Sequence, residues 1–158
     1  MSATSDDPDF AILLAAGYGA LTDELQAAHR GAGLQVRPSF GFVIRAVAAE
    51  QPTINRLAEL LDVTKQAASQ LADEAQSAGF VERFEDPTDR RRRRLRLTPK
   101  GEQVRAVALR TSARLEDELA AELGEDAVQA CRATLTALVT RTGALEDVLA
   151  RRARLPGR

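Results

Sequence analysis

The chain has one cysteine, Cys131, so an intrachain disulfide is excluded. No apolar run approaches the ~20 residues that a helix needs to cross a bilayer. The start is Asp-rich and lacks the basic end and apolar core of a signal peptide, so a cytoplasmic protein is the simple expectation. Catalytic signatures are equally scarce. The single histidine, His29, has no evident partner. There is no metal-ligand spacing, no phosphate-binding glycine loop and no Ser/His/Asp or Cys/His arrangement. The expectation is a protein with no enzymatic activity, cofactor or metal. Low-complexity tracts and internal repeats are also missing, and 158 residues suffice for one domain or two closely joined lobes.

Net charge is small too, at −1, so the protein is not globally basic. The charge is segregated instead. Phe80 to Lys100 holds eight basic residues (Arg83, Arg90 to Arg94, Arg96, Lys100) against four acids (Glu82, Glu85, Asp86, Asp89), a local net of +4. The N-terminal segment, with Asp6, Asp7, Asp9, Asp23 and Glu24, is acidic. Local charge, not the average, steers a polyanion.

What is present centres on residues 53–98. Thr53 is suited to cap a short helix in which Ile54, Leu57, Ala58 and Leu61 form one apolar face. Asp62-Val63-Thr64 breaks the pattern. Thr64 caps a second helix with Ala67, Ala68, Leu71 and Ala72 apolar, and Gly79 stops it. Two helices with so short a joint are what a helix-turn-helix needs, although a plain packed pair reads the same way. Residues 80–84 and 94–97 then alternate apolar and polar around the turn formers Asp86-Pro87-Thr88-Asp89, which predicts a β-hairpin. Five consecutive arginines, Arg90 to Arg94, follow the turn. A charge run is ordinarily a solvated face. Five like charges on one rung repel, however, and duplex phosphate is the obvious counter-charge. A winged-helix adaptor using the same arginines on an acidic protein is the alternative, and a steep salt dependence with duplex DNA would separate the two.

This stretch resembles the MarR family of bacterial transcription regulators. LAELLDVTKQAASQLADEAQSAGFVER is similar to the family's helix-turn-helix, and DPTDRRRRRLRLTPKG to its wing. Asp89 and Arg91 match the family's Asp-x-Arg at the wing tip; Leu97, Thr98 and Gly101 match its Leu-Thr-x-x-Gly exit. Residues 53–101 carry the specific part of the likeness. The chain departs from it at Gln70, where many members are basic, and near Ala75, where many have leucine. The resemblance implies Arg91 in a minor groove, held by Asp89, with Arg90, Arg92 and Arg94 on phosphates. On the second helix the exposed side carries Lys65, Gln66, Ser69, Gln70 and Asp73. The expected base contacts are Gln66, Ser69 and Gln70, with Lys65 on phosphate. For each, the bland alternative is a solvated helix position.

Around this unit lie helices with a different spacing. From Asp9, Phe10, Leu13, Leu14, Gly17, Leu21, Leu25 and Ala28 recur by threes and fours until Gly31-Ala32-Gly33. Gly17 and Gly19 either weaken this helix or admit another helix close by. Pro38 opens a helix with Phe40, Val43, Ile44, Val47 and Ala48 on one face and Phe42 and Ala46 beside it. Thr98-Pro99 starts a long helix with Val104, Ala108, Thr111, Leu115 and Leu119 in a stripe, interrupted at Gly124. Val128, Cys131, Leu135, Leu138, Thr142, Leu145 and Leu149 then form a heptad seam. These faces exceed what a small winged unit covers, so they are expected to pack together and against a second copy. The expected fold is mainly α with a small β-hairpin wing. Residues 37–99 form the winged helix-turn-helix, and residues 1–36 and 100–158 form dimerisation helices. A homodimer would read an inverted repeat in duplex DNA. Cys131, in the seam, is expected to behave as a small buried hydrophobe, and redox sensing would need the two-fold axis close by.

The resemblance also implies a repressor released by a small, frequently aromatic, effector. Tyr18, His29, Phe40, Phe42 and Arg45 are the residues that could line its cleft, against the bland reading of phenylalanines in a core and a satisfied histidine.

Overall fold

Where the helices begin is decided in their first turns. Asp9, Thr53, Thr64 and Thr98 each turn a side-chain oxygen back to accept an amide three residues on, at 2.9 to 3.2 Å. Each bond satisfies an N–H that the helix cannot. In the computed structural model, which describes residues 7–141, these caps open α1 (Phe10–Gly31), α3 (Ile54–Leu60), α4 (Lys65–Ser77) and α5 (Pro99–Leu123). Proline does the same work for α2 (Pro38–Glu50), and α6 spans Glu125–Arg141. The frayed tail expected over residues 1–8 falls mostly outside the described residues, as do Thr142, Leu145 and Leu149 of the predicted seam.

Between α4 and α5 the chain forms one antiparallel hairpin, β1 (Val81–Glu85) with β2 (Arg93–Leu97), in the register Val81↔Leu97 to Glu85↔Arg93. β1 lies one residue nearer the tip than the alternation predicted, and β2 starts one residue earlier while ending at Leu97 as expected. Phe80 is the reason: it is fully buried, edge-on to Phe40 with ring centroids 5.6 Å apart, and belongs to the core. Beyond the hairpin, the Leu95 amide donates to the Pro52 carbonyl at 2.9 Å, so β2 is also tied to the α2–α3 joint.

The core gathers Phe40, Val43, Ile44 and Val47 of α2, Leu57 and Leu61 at α3, Ala68, Ala72 and Ala75 of α4, Phe80, Val81 and Leu95 of the hairpin, and Val104 and Val107 of α5. The small residues of α4 let it seat closely. Its following glycine, Gly79, adopts φ +79°, which an L side chain resists.

A knot of short contacts then joins the wing to α5. The Thr98 amide donates to the Phe80 carbonyl at 3.1 Å, and the Thr98 hydroxyl donates to the Gly79 carbonyl at 2.6 Å. Gly101 lies so near that a Cβ there would meet the Phe80 oxygen at 2.0 Å. That contact gives a physical reason for the Leu-Thr-x-x-Gly pattern.

α1 and α6 both pack on α5. Even so, apolar side chains on all three stay exposed: Phe10, Leu13, Leu109, Leu119, Leu123, Leu135 and Leu138 are each 40% to 61% accessible. No described residue of α6 is buried, and Cys131 is exposed in the protomer, on the seam expected to meet a second copy. Gly17 and Gly19 face open space within the chain. No helix of the described residues is long and apolar enough to cross a membrane.

Candidate nucleic-acid interface

α4 buries one side through Ala68, Ala72 and Ala75, which turns the opposite side outward. Lys65, Gln66 and Gln70 are exposed there and Ser69 is half-buried, so all four residues expected to face a duplex share one accessible face. Asp73 lies on the same face. The Arg83 guanidinium of β1 pairs with it at 2.7 Å and donates to Gln76 at 2.8 Å. That pairing offsets a negative charge that would otherwise oppose phosphate.

The arginines do not form one rung. Arg90, Arg91 and Arg92 occupy the turn, while Arg93 and Arg94 enter β2 and alternate. The hairpin register sets Glu85 opposite Arg93 and Glu82 opposite Arg96, with ion pairs at 3.4 and 2.7 Å. Every acid of the wing is therefore engaged, and the expected mutual repulsion is offset by cross-strand pairing. Arg90 makes no ion pair among the described residues. Asp89 is shared between Arg91 at 3.5 Å and Arg92 at 3.4 Å, and it also accepts the Arg91 amide at 3.1 Å. The Arg91 side chain is 94% exposed. Its backbone is held by Asp89 while its charged end projects into solvent.

Asp86, unremarked in the sequence except as a turn former, builds the tip. Its carboxylate accepts the Thr88 hydroxyl at 2.6 Å and the Thr88 amide at 2.8 Å, and its own amide donates to the Arg92 carbonyl at 3.0 Å. The Thr88 hydroxyl, then the Thr88 amide, hold the Asp86 carboxyl below the ordinary aspartate range, with a smaller push from the Arg94 charge. Asp-Pro-Thr is the local signal for this turn, since Asp bonds the amide two residues on.

Arg94 departs from the expected phosphate contact and turns inward. Its Nε donates to the Gln51 carbonyl at 2.7 Å and its Nη2 to the Glu50 carbonyl at 2.8 Å, closing the C-terminal end of α2. A cation there satisfies orphan carbonyls and complements the helix dipole.

The five residues expected to line an effector cleft do not converge. Tyr18 is exposed on α1 and Arg45 is exposed on α2. Phe42 is half-buried against the core. His29 is buried, and its Nε2 donates to the Val104 carbonyl at 3.2 Å, which ties α1 to α5. Of the five, Phe40 lines a cleft among the described residues. That cleft, of about 980 Å³, lies between the end of α1, the start of α2 and the outer face of α4. Its lining includes Arg30 and Arg37 from one wall, and Gln66, Ser69, Gln70, Asp73 and Glu74 from the other. Among the described residues no group of three or more His, Cys, Asp or Glu side chains could hold a metal.

Residues 42–92, from α2 into the wing, match the MarR family model. That stretch is similar to the winged helix of the MarR family. Among curated proteins none matches the sequence. Solved structures agree with the MarR-type architecture over most of the chain. Streptococcus pneumoniae FabT in complex with DNA superimposes with a TM-score of 0.71 at 19% identity, over 84% of this chain and 94% of that one. MarR itself gives 0.66 at 22% identity, over 92% and 99%. The S. aureus MepR–DNA complex gives 0.64 at 19%, over 84% and 99%. At such identities the likeness establishes the MarR-type fold.

Proposed function

We propose that this protein is a homodimeric, sequence-specific duplex-DNA-binding regulator of transcription. The observation that carries the reading is the pairing of two surfaces on one MarR-type unit. One is the accessible polar face of α4, with Lys65, Gln66, Ser69 and Gln70; the other is the wing tip, with Arg90 and the outward Arg91 and Arg92. In this reading α4 enters a major groove, Arg91 the adjacent minor groove, and Arg90 and Arg92 meet phosphates. FabT and MepR, solved with DNA, support the assignment of nucleic acid as partner.

A second copy is supported by the exposed leucines of α5 and α6 and by Phe10 and Leu13 of α1, large apolar side chains that the protomer leaves open. Residues 1–36 and 100–158 would supply that interface and residues 37–99 the reading unit. Two α4 helices about 34–36 Å apart would read an inverted repeat. The protein acts as a repressor, as the family likeness implies. A small effector would occupy the cleft of Arg30, Arg37 and Phe40, whose far wall is the reading face of α4, so that effector and operator compete for Gln66 and Gln70.

The test is binding of the purified protein to duplex from its own upstream region at two salt concentrations. Tight binding that survives competitor DNA is expected. Binding that vanishes with modest salt and competitor would leave the arginine wing as a non-specific clamp and overturn the reading.

A further inference from the structure

Resting on the DNA-reading role proposed for α4, we infer that Glu74 and Arg37 are positioning residues that fix the hydrogen-bonding polarity of Gln70, and with it the base that Gln70 selects.

A glutamine side chain is ambiguous as a reader. Its carboxamide carries an acceptor at one end and two donors at the other, and rotation by half a turn exchanges them. In this structure the exchange is blocked. Gln70 Nε2 donates to Glu74 Oε1 at 3.1 Å, one helical turn along α4. A carboxylate only accepts, so the amide nitrogen must be the end that faces Glu74. Glu74 is itself held: its other oxygen, Oε2, pairs with Arg37 Nη1 at 3.1 Å across the cleft. Arg37 is the N-cap residue of α2, and its guanidinium lies 5.8 Å from the Phe40 ring centroid. Both ends of the Glu74 carboxylate are thus spoken for, and it is anchored to the element that follows α1.

With one N–H committed to Glu74, Gln70 presents one remaining N–H and one carbonyl oxygen to a groove. That pair complements adenine, whose major-groove edge offers N7 as acceptor and N6 as donor. Guanine offers two acceptors, N7 and O6, and would set its O6 against the Gln70 carbonyl. The relay therefore favours adenine in one orientation and disfavours guanine. Its purpose is selection, not stability, because Arg37 is 71% and Glu74 36% exposed and such surface pairs contribute little to folding.

The experiment selects binding sites from a randomised duplex library with the wild-type protein, Gln70→Ala, Glu74→Ala and the double variant, each checked for an unchanged thermal melt. Wild type is expected to enrich a motif with one adenine per half-site whose preference disappears in Gln70→Ala. Glu74→Ala should flatten the same position by about tenfold, within the roughly five- to 150-fold that a bidentate contact discriminates. The double variant should be no flatter than Gln70→Ala, and the other positions of the motif should be unchanged. A motif in which Glu74→Ala leaves the Gln70-dependent position as sharp as wild type overturns this inference and spares the proposed function. A wild-type protein that enriches no motif overturns both.

Discussion

Replacing Arg94 by alanine separates two roles that a run of arginines cannot distinguish. If Arg94 served DNA, its loss would lower the salt dependence of binding by about one phosphate and leave the fold untouched. The structure assigns it to the end of α2, where its guanidinium donates at 2.7 and 2.8 Å to the carbonyls of Gln51 and Glu50. Hydrogen bonds from charged donors stabilise by about 1.5–3 kcal/mol when buried. Here the side chain is one-third exposed, so water can rehydrate the carbonyls after truncation. Gln51 also sits in the left-handed region, φ 48°, where the bonded carbonyls help hold the turn. A net loss of about 1–2 kcal/mol follows, equivalent to a Tm lower by roughly 3–8 °C for a chain of this size. Chemical denaturation and a salt titration of DNA binding, run beside Arg91→Ala, decide it. Arg94→Ala should lower stability and keep the salt slope, and Arg91→Ala should do the reverse. An Arg94→Ala protein with wild-type stability and a reduced slope would refute the assignment.

Three further outcomes are expected. Gly101→Ala drives a Cβ to 2.0 Å from the Phe80 oxygen and should destabilise by about 3 kcal/mol in urea unfolding, with a loss under about 0.5 kcal/mol counting against the contact. Acidification should release the wing tip late. Asp86 is held charged in the fold, so its stabilisation is complete above the ordinary aspartate value of 3.8 and is lost as pH falls through the lower folded value. The Thr88 amide NMR shift should follow that loss and should not do so in Asp86→Asn; a wild-type midpoint at or above 3.8 would contradict the turn geometry. Leu119→Asp with Leu135→Asp, at side chains already exposed in the protomer, should convert the proposed dimer to a monomer in sedimentation and weaken operator binding at least about tenfold. An unchanged sedimentation coefficient would remove those leucines from the interface.

Local chemistry made the helices readable. A threonine followed by a helical apolar pattern caps in place, and nothing distant can alter an amide three residues away. The same holds for Gly79, whose backbone only glycine enters easily. The wing was legible in outline and misread in detail. Which arginine meets an acid depends on cross-strand register, which sets Glu85 against Arg93, and on a helix end 43 residues earlier in the chain for Arg94. His29 was unreadable for a like reason, since its partner carbonyl belongs to Val104, 75 residues on. The cleft was not legible because the fold alone brings its two walls together: the polar stripe of α4, which reads as an ordinary exposed face, and Arg30 and Arg37 around the α1–α2 joint. Glu74 lies four residues beyond Gln70, a spacing at which helix side chains always meet, and that signal was available.

α5 begins inside the reading unit and ends far from it. Its first turns are fixed by Gly101 against Phe80 and by Val104 and Val107 in the core, whereas Leu119 and Leu123 lie on open surface. Its 25 residues make a rod of about 37 Å. A rod clamped at one end acts as a lever. Tilting its far end by about 5° carries the clamped end, with α4 and the wing, through about 3 Å, close to the rise of one base step along a strand. In the proposed homodimer, side chains that never approach DNA would in this way set the distance between the two reading heads, and so the spacer length of the operator.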